Sequence, residues 1–330
     1  MKRRRLPLLN NRRKRLPGKG RPLQAVRRTL QLLVLLLLIV IPITSLYANL
    51  RNQRDEVGIA ARADTALVHR MFGGQPERAE SLDQVRGSVW TLKLGDHVIS
   101  DPLAALDFSV ATHRPWDAFL LTALLPILAS MLLGRVFCGW LCPADLLFEL
   151  GSTLRRWVGL ETDVAFPRGL KYVVLGLGTV LGAAMGMQVF AEIYPPRVMS
   201  SELYLAITFG AVGAGAWLLL AILAFEVFVS RRFWCRYVCP GGALYSLLGR
   251  YRLLRLKVVR SKCTDCNKCQ PVCEFGLDPC AGSFGDECNN CGLCARACAP
   301  GAIVWRWGWR PADGVDEITS EPRSTKEDGP

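Results

Sequence analysis

The stretch CTDCNKCQPVC spans residues 263–273, and the stretch CNNCGLCARAC spans residues 288–298. Both runs have the spacing C-x2-C-x2-C-x3-C, which is that of bacterial ferredoxins with [4Fe–4S] clusters. In that arrangement, the first three cysteines of a run bind one cluster and the fourth binds its neighbour. The spacing therefore predicts two [4Fe–4S] clusters. The predicted ligands are Cys263, Cys266, Cys269 and Cys298 for the first cluster, and Cys288, Cys291, Cys294 and Cys273 for the second.

Zinc sites and disulfide frameworks are the alternatives for so many cysteines. Zinc prefers two separated C-x2-C pairs to two identical runs of four. A disulfide framework requires an oxidising compartment. The doubled run therefore favours iron–sulfur clusters over both alternatives. Cys280 lies between the two runs, and we expect it to be a free thiol.

The composition of the chain indicates a membrane protein. Hydrophobic residues make up 51% of the sequence, which is high for a soluble protein. The net charge of +13 is concentrated in residues 1–28, which contain 12 Lys or Arg and no acidic residue. Such a basic segment beside an apolar run favours contact with anionic membrane lipid. It contains no interleaved aromatic residue, so we do not expect nucleic acid as a partner.

Four apolar runs predict four transmembrane helices. Basic residues crowd the N-terminus, the loop after the second run and the stretch 250–262, so both termini are expected in the cytoplasm. The predicted fold class is an α-helical membrane protein with a C-terminal α+β ferredoxin-like domain. The predicted segments are a basic tail (1–27), spans (28–48, 116–137, 170–191 and 204–230), a periplasmic loop domain (49–115), a cytoplasmic loop (138–169), a periplasmic turn (192–203), a cytoplasmic linker (231–260), the ferredoxin domain (261–305) and a polar tail (306–330).

Three local patterns refine this prediction. Asp101 followed by Pro102 is typical of a helix start, with the aspartate as N-cap and the proline at the first helical position. The third span is rich in glycine, which indicates close helix packing. A short strand is predicted over 87–94.

The second and fourth spans end in matching motifs, RVFCGWLCP at 135–143 and RFWCRYVCP at 232–240. Both read Arg-x-x-Cys-x-aromatic-aliphatic-Cys-Pro, which suggests a duplicated transmembrane hairpin. Cysteines four apart share one face of a helix, and the proline disfavours continuation of that helix. If the two spans are neighbours, their four thiols meet at the membrane surface. These thiols belong to Cys138, Cys142, Cys235 and Cys239.

Four convergent thiols predict an additional redox or metal site, although the spacing does not identify the metal. The alternative is that the thiols pack as small apolar groups. Arg135 and Arg232 stand at the same offset before each pair of cysteines. We expect their charge to lower the pKa of the neighbouring thiols and to favour the thiolate.

These features together resemble the NapH/MauN family of ferredoxin-type membrane proteins. The resemblance covers roughly residues 25–305, and its most specific parts are FCGWLCP, WCRYVCP and the two cysteine runs. It implies a quinol dehydrogenase component of the bacterial inner membrane. Such a protein takes electrons from quinol and passes them to an iron–sulfur or cytochrome partner of a periplasmic chain, such as nitrate reduction. The methylamine-oxidation members share the same plan.

Quinol oxidation also releases protons, which require acceptors near the membrane. His97 and His113 flank the start of the second span, with Asp96, Asp101 and Asp117 nearby. Glu192 lies in the predicted turn, and Glu226 lies inside the fourth span, where an ionisable residue is a functional candidate. The alternative for Glu226 is a structural ion pair with a nearby arginine.

A second class of function stays open at this point. An assembly or maturation factor could use clusters and C-x3-C-P thiols to reduce a disulfide, or to reduce or deliver a metal. The C-x3-C-P motifs suit this role about as well as electron transfer.

Overall fold

The computed structural model describes residues 3–5, 21–57, 85–88, 90–94, 97–114, 118–159, 162–282 and 284–308. Within these residues, helices form a bundle, and the two cysteine runs form a small unit at one end of it. The helices are Arg21–Val57 (α1), Pro102–Ala111 (α2), Ala118–Thr122 (α3), Leu124–Leu133 (α4), Ala144–Trp157 (α5), Leu170–Met185 (α6), Val189–Ile193 (α7), Pro195–Phe209 (α8), Ala214–Phe228 (α9), Pro240–Leu248 (α10) and Leu293–Ala297 (α11).

Among the residues that the structure describes, three small antiparallel sheets accompany the helices. One of these sheets pairs the strand that precedes the two cysteine runs with the strand that follows them. It therefore brings the two ends of the cysteine-rich unit together. The strands pair as Arg3–Arg5 (β1) with Thr162–Val164 (β5), Val85–Gly87 (β2) with Thr91–Leu94 (β3), β3 with His97–Ser100 (β4), and Leu254–Val258 (β6) with Ile303–Trp307 (β7).

One stretch of the described helices, Pro22–Ile43 in α1, is long and apolar enough to cross a membrane. The other apolar helices, α2, α4, α6 and α9, have 10 to 16 residues each. The first predicted span therefore falls within one long helix. The other predicted spans correspond to shorter helices.

The segment between the third and fourth predicted spans is more helical than a turn. Helix α7 begins at Val189, and α8 begins at Pro195, where proline is favoured because its N–H needs no partner. The predicted span 204–230 is divided between α8 and α9. Gly210 ends α8 with a φ of +63°, a left-handed conformation that glycine adopts readily.

The helix start predicted at Asp101 is confirmed. Asp101 is the N-cap of α2, its carboxylate accepts the backbone N–H of Leu103 at 2.8 Å, and Pro102 is the first helical residue. The strand predicted over 87–94 is realised at Thr91–Leu94, as the central strand of its sheet. Strand β4 leads directly into Asp101, so this sheet fixes the start of α2.

Close packing at the glycines of α6 is also confirmed. Gly178 and Gly182 are buried. A Cβ placed on Gly178 would lie 2.3 Å from a ring carbon of Phe190 in α7. Glycine here allows the ring of Phe190, which is 1% exposed, to lie against the backbone of α6.

Replacing Gly178 with alanine is expected to destabilise the protein by about 1–3 kcal/mol, because the added methyl group overpacks the contact with Phe190. Gly176 offers a matched control in the same helix, since a Cβ there meets nothing within 4 Å. Gly176→Ala should be neutral or stabilising by up to about 1 kcal/mol. Thermal unfolding of both variants in detergent measures the difference. Equal effects would contradict the packing argument.

Candidate metal centres

The cysteines predicted to hold the first cluster line one small cavity. The cavity has a volume of about 20 Å³ and lies between the loop at 263–269 and the segment 297–303. Its cysteines are Cys263, Cys266, Cys269, Cys280 and Cys298. Cys266 is exposed, whereas Cys269 is buried. The structure thus brings together the four thiols of the first predicted set, on the outer side of the cysteine-rich unit.

The thiols predicted for the second cluster also lie together. The thiolate charges of Cys291, Cys288 and Cys273 raise the pKa of Cys294, as burial does even more strongly. Cys288 and Cys294 are buried in the hydrophobic core of the unit, and Cys273 packs against that core. Four clustered thiols fit a [4Fe–4S] cluster, and metal binding would release the protons that such buried thiols otherwise hold.

Cys280 is a fifth thiol beside the first set. Its Sγ lies 3.5 Å from Oδ1 of Asp265, and the Sγ of Cys263 lies 3.6 Å from the same oxygen. Cys280 is buried. Cys280 lies in the linker between the two runs and is not part of their repeated spacing. Its contact with Asp265 beside the first set is therefore seen only in the fold.

Each C-x3-C-P motif forms a five-residue π-helix, over Phe137–Leu141 and Trp234–Val238. The backbone N–H of the second cysteine closes each turn on a residue five positions earlier, at 2.9 Å for Cys142 and 2.8 Å for Cys239. The second cysteine of each motif then leaves the helical conformation, with a ψ of 117° at Cys142 and of 116° at Cys239. The two motifs therefore share one backbone conformation, and single π-turns of this kind are frequent at functional sites.

The thiols of both motifs face one cavity. Its volume is about 20 Å³, the same as that of the ferredoxin-type cavity. The cavity is lined by Cys138, Cys142, Cys235 and Cys239, with Arg135, Ala144, Asp145, Phe148, Tyr194, Pro195, Pro196, Trp234 and Gly242 around them. The convergence of four thiols at one point is what a shared metal or redox centre requires.

We expected Arg135 and Arg232 to lower the pKa of the neighbouring thiols. Their charges do act in that direction, but the pKa of these thiols is raised overall. Burial raises the pKa of Cys138, and the opposing charge of Arg135 offsets only part of that shift. Burial raises the pKa of Cys235 well above its usual value, although Arg232 acts in the opposite direction. The desolvation of a buried thiolate therefore outweighs the attraction of the nearby guanidinium.

The two motif arginines instead bind the cysteine-rich unit. Arg135 donates to Glu287 at 2.6 Å, and Arg232 donates to Glu274. Both arginine side chains are fully buried. Glu287 precedes Cys288 and Glu274 follows Cys273, so each arginine lies next to a cysteine of the second predicted set. The arginines at the equivalent positions of the two motifs thus both bind glutamates that adjoin cysteines of the second predicted set.

Asp145 joins the first helix to both motifs. Its carboxylate accepts from Arg27 at 2.8 Å, from Gln31 at 2.7 Å and from Arg232 at 2.6 Å. Arg27 also donates to the carbonyl of Gly139 at 2.7 Å. Arg27 had been interpreted only as part of a basic segment at the membrane face. No sequence pattern links Arg27 to Asp145, so this buried pair is found only in the fold.

The N-terminal turn of α1 also reaches the second cysteine run. The side chain of Gln24 donates to the backbone carbonyl of Cys291 at 2.7 Å. Leu23 lies near Gly292, whose φ of +73° places it in the left-handed region. Helix α1 is therefore anchored on the cysteine-rich unit at the same end as the C-x3-C-P cavity.

The proposed proton-accepting residues are not brought together. His97, His113 and Glu192 are all exposed. Glu226 is 1% exposed, and one of its carboxylate oxygens accepts the backbone N–H of Trp234 at 2.9 Å. Glu226 therefore holds the start of the second π-helix rather than pairing with a neighbouring arginine through that oxygen.

Comparison with known proteins adds to this geometry. A protein-family model described as a 4Fe-4S binding domain matches residues 118–161 and 211–261. These two segments contain the C-x3-C-P motifs and no cysteine of the later runs. The match, the cysteine runs and their packing define a ferredoxin-type iron–sulfur electron-transfer protein.

Curated relatives place the chain more closely. The ferredoxin-type protein NapH of Haemophilus influenzae is 32% identical over 231 residues, which cover 64% of this chain and 79% of that protein. The methylamine utilization ferredoxin-type protein MauN of Paracoccus denitrificans is 35% identical over 182 residues, covering 54% of this chain and 62% of that protein. The chain belongs to the NapH/MauN family of ferredoxin-type proteins. No solved structure matches it.

Proposed function

We propose that this protein oxidises quinol in the bacterial inner membrane and passes the electrons through iron–sulfur clusters to a redox partner. The observation that carries this proposal is the pairing of Arg135 with Glu287 and of Arg232 with Glu274. These pairs hold the C-x3-C-P cavity against the cysteine runs. An electron that enters at the bundle therefore has a continuous route into the ferredoxin-type unit.

The ferredoxin-type unit holds two [4Fe–4S] clusters in this proposal. Their ligands are Cys263, Cys266, Cys269 and Cys298 for one cluster, and Cys288, Cys291, Cys294 and Cys273 for the other. The grouping of the thiols in the fold supports both sets. Each cluster accepts and donates one electron at a time, so two clusters suit a two-electron donor.

The C-x3-C-P cavity holds a third cluster of the same type. Like the cavity formed by the ferredoxin spacing, it is lined by four cysteines of one predicted set. The family model for 4Fe-4S binding matches the two segments that supply Cys138, Cys142, Cys235 and Cys239. Arg135 and Arg232 lie beside this cavity and offset part of the negative charge that thiolates and a cluster carry.

The packing suggests the order of electron transfer. Arg135 and Arg232 bind Glu287 and Glu274, which adjoin Cys288 and Cys273, so the second set is nearest the bundle. Cys266 of the first set is exposed. Electrons would therefore leave from the first set, where an iron–sulfur or cytochrome partner can approach on the same side of the membrane as the C-terminus.

The membrane arrangement is proposed with four spans and both termini in the cytoplasm. The segments 97–107 and 192–203 then reach into the bundle from the periplasmic side, because Asp101 and Tyr194 contact Tyr245 and the C-x3-C-P cavity. Large apolar side chains are exposed on α3, α4, α6 and α9, and lipid would cover such surfaces. They include Leu121, Leu125, Val173, Leu177, Val180, Trp217, Leu220 and Phe228, together with Leu32, Leu33 and Leu36 of α1.

A cytoplasm-specific reporter should be active at the C-terminus and inactive within the loop 58–84. The reverse pattern would overturn this topology.

The function is tested with anaerobically purified protein in lipid vesicles. A water-soluble quinol analogue should reduce the clusters, as seen by bleaching of visible absorption and by low-temperature electron paramagnetic resonance. Dithionite gives the full extent of reduction as the control. Clusters that dithionite reduces and quinol does not would contradict the proposal. Transfer of a metal to a second protein without quinol oxidation would favour a maturation factor instead.

A further inference from the structure

A large cavity lies on the bundle side of the first π-helix. Its volume is about 410 Å³, within the range of small-molecule binding sites. Apolar side chains of α1, β3, β4 and α4 form most of its wall. They include Val34, Leu37, Leu38, Ile41, Leu92, Ile99, Leu125 and Leu133. Such a wall suits the ring and the first part of the tail of a lipid-soluble quinol.

The wall of this cavity also contains a buried carboxylate. Asp101 lines the cavity and is 4% exposed. Its Oδ2 accepts the hydroxyl of Tyr245 at 2.9 Å and that of Tyr194 at 3.2 Å, while its Oδ1 accepts the N–H of Leu103. Three donors thus fix the position of the carboxylate. A quinol hydroxyl is a donor that needs such an acceptor within an apolar site.

The carboxylate is suited to take up and release a proton near neutral pH. Burial raises the pKa of Asp101 to about 6, and the hydrogen bonds from Leu103, Tyr245 and Tyr194 oppose that rise. A general base works best when its pKa lies near the working pH. The exposed histidines nearby, His97 and His113, do not line this cavity.

The cavity shares a wall with the C-x3-C-P thiols. Phe137 and Leu141 line the large cavity, whereas Cys138 and Cys142, the next residues in each case, line the thiol cavity. The ring of Phe137 stacks on Tyr245, with the ring centroids 5.1 Å apart. One π-helix therefore separates a site for an apolar donor from a site for an electron acceptor.

We propose that this cavity is the quinol site and that Asp101 is the base that receives the quinol protons. This inference rests on the proposed quinol-oxidising function. The quinol loses two O–H protons and two electrons and leaves as quinone. Clusters held by the cysteines beyond the π-helix would supply the oxidant, since each [4Fe–4S] cluster can accept one of the two electrons. Asp101 takes the protons in turn and returns each to water before it accepts the next.

Two variants test the site, each with a matched control. Asp101→Asn removes the base and keeps a good N-cap. Asp107→Asn is its control, because Asp107 is another buried carboxylate of α2 that binds the backbone of Phe190 and Ala191 and lies outside the cavity. Ala129→Phe fills the cavity. Leu128→Phe is its control, because Leu128 is exposed beside it and does not line the cavity.

The measurements are the rate of cluster reduction by a quinol analogue and the binding of a fluorescent hydroxyquinoline N-oxide, an analogue of quinol. Asp101→Asn should lower the reduction rate by about 100-fold or more, the usual contribution of a general base. Ala129→Phe should weaken analogue binding at least about 10-fold, as a lost apolar contact does. Iron content and reduction by dithionite should stay at the wild-type level in both variants, and both controls should behave as wild type.

The outcomes separate the site from the function. If quinol fails to reduce the wild-type clusters, the proposed function fails and the inference fails with it. If quinol reduces the wild type and also reduces Asp101→Asn and Ala129→Phe at the wild-type rate, the function stands and this site is overturned. If Asp101→Asn does not insert into the membrane, unchanged analogue binding by Ala129→Phe still overturns the site.

Discussion

Replacement of all four C-x3-C-P cysteines by serine is expected to abolish reduction of the remaining clusters by quinol. The substitutions remove Cys138, Cys142, Cys235 and Cys239, the four thiols of one cavity. With four iron atoms per cluster, the iron content should fall from about twelve to about eight atoms per chain. Dithionite should still reduce the two remaining clusters, because it reaches them from water. The comparison of the two reductants locates the loss between the quinol and the ferredoxin-type unit.

Single substitutions should be nearly as damaging as the quadruple one. Residues that act as one unit have strongly non-additive effects, so Cys239→Ser alone should lose most of the quinol-dependent rate. Cys266→Ser is the matched control, since it removes a ligand of the exposed cluster. That variant should lose iron as well, yet its remaining clusters should still be reduced by quinol.

Two results would contradict this expectation. Full activity in the quadruple variant would reduce the four cysteines to packing groups. Losses that simply add, pair by pair, would indicate two independent sites instead of one shared centre.

Replacement of Arg232 by methionine is expected to destabilise the protein by about 3–5 kcal/mol, the usual result of removing one partner of a buried ion pair. Arg232 has no solvent exposure and binds both Asp145 and Glu274. Methionine preserves much of the side-chain length, so the loss reflects the charge more than the volume. Thermal unfolding in detergent measures the effect, and cluster absorption reports whether the cysteine-rich unit detaches first.

Arg260→Met is the control for this substitution. Arg260 makes an exposed ion pair with Asp265, with an N–O distance of 3.8 Å. Exposed pairs contribute between about 0 and 1 kcal/mol, so the control should unfold almost as the wild type does. If Arg232→Met were as stable as Arg260→Met, the buried pairs could not be what holds the cysteine-rich unit on the bundle.

Spacing along the sequence predicts much of the chemistry of this protein. The positions of Cys263, Cys266 and Cys269 specify a loop that can bind three corners of a cluster, because thiolate ligands at short intervals leave the chain little freedom. The repeat of Arg-x-x-Cys-x-aromatic-aliphatic-Cys-Pro likewise indicates that two distant segments share one conformation. The N-cap at Asp101 follows from local hydrogen bonding and was predicted for the same reason.

Contacts between distant segments could not be predicted in this way. No periodicity shows that Asp145 meets Arg27, or that Tyr245 donates to Asp101, because these partners depend on how the helices pack. The arginine of each motif was predicted to act on the nearest thiol. In the fold, its charge is directed to a glutamate more than 40 positions away. Burial, which decides the pKa of the thiols, is also a property of the packing and not of the spacing.

The contact between Gln24 and Cys291 has a consequence for how the chain is made. The two residues are 267 positions apart, so α1 emerges from the ribosome long before its partner is synthesised. Until then, the buried side chain of Gln24 has no Cys291 carbonyl to bind, whereas Arg27 and Gln31 can already bind the carbonyl of Gly139. Helix α1 is therefore completed by a segment that is translated much later. Maturation of the bundle and loading of the cysteine-rich unit become one late, cooperative event in biogenesis.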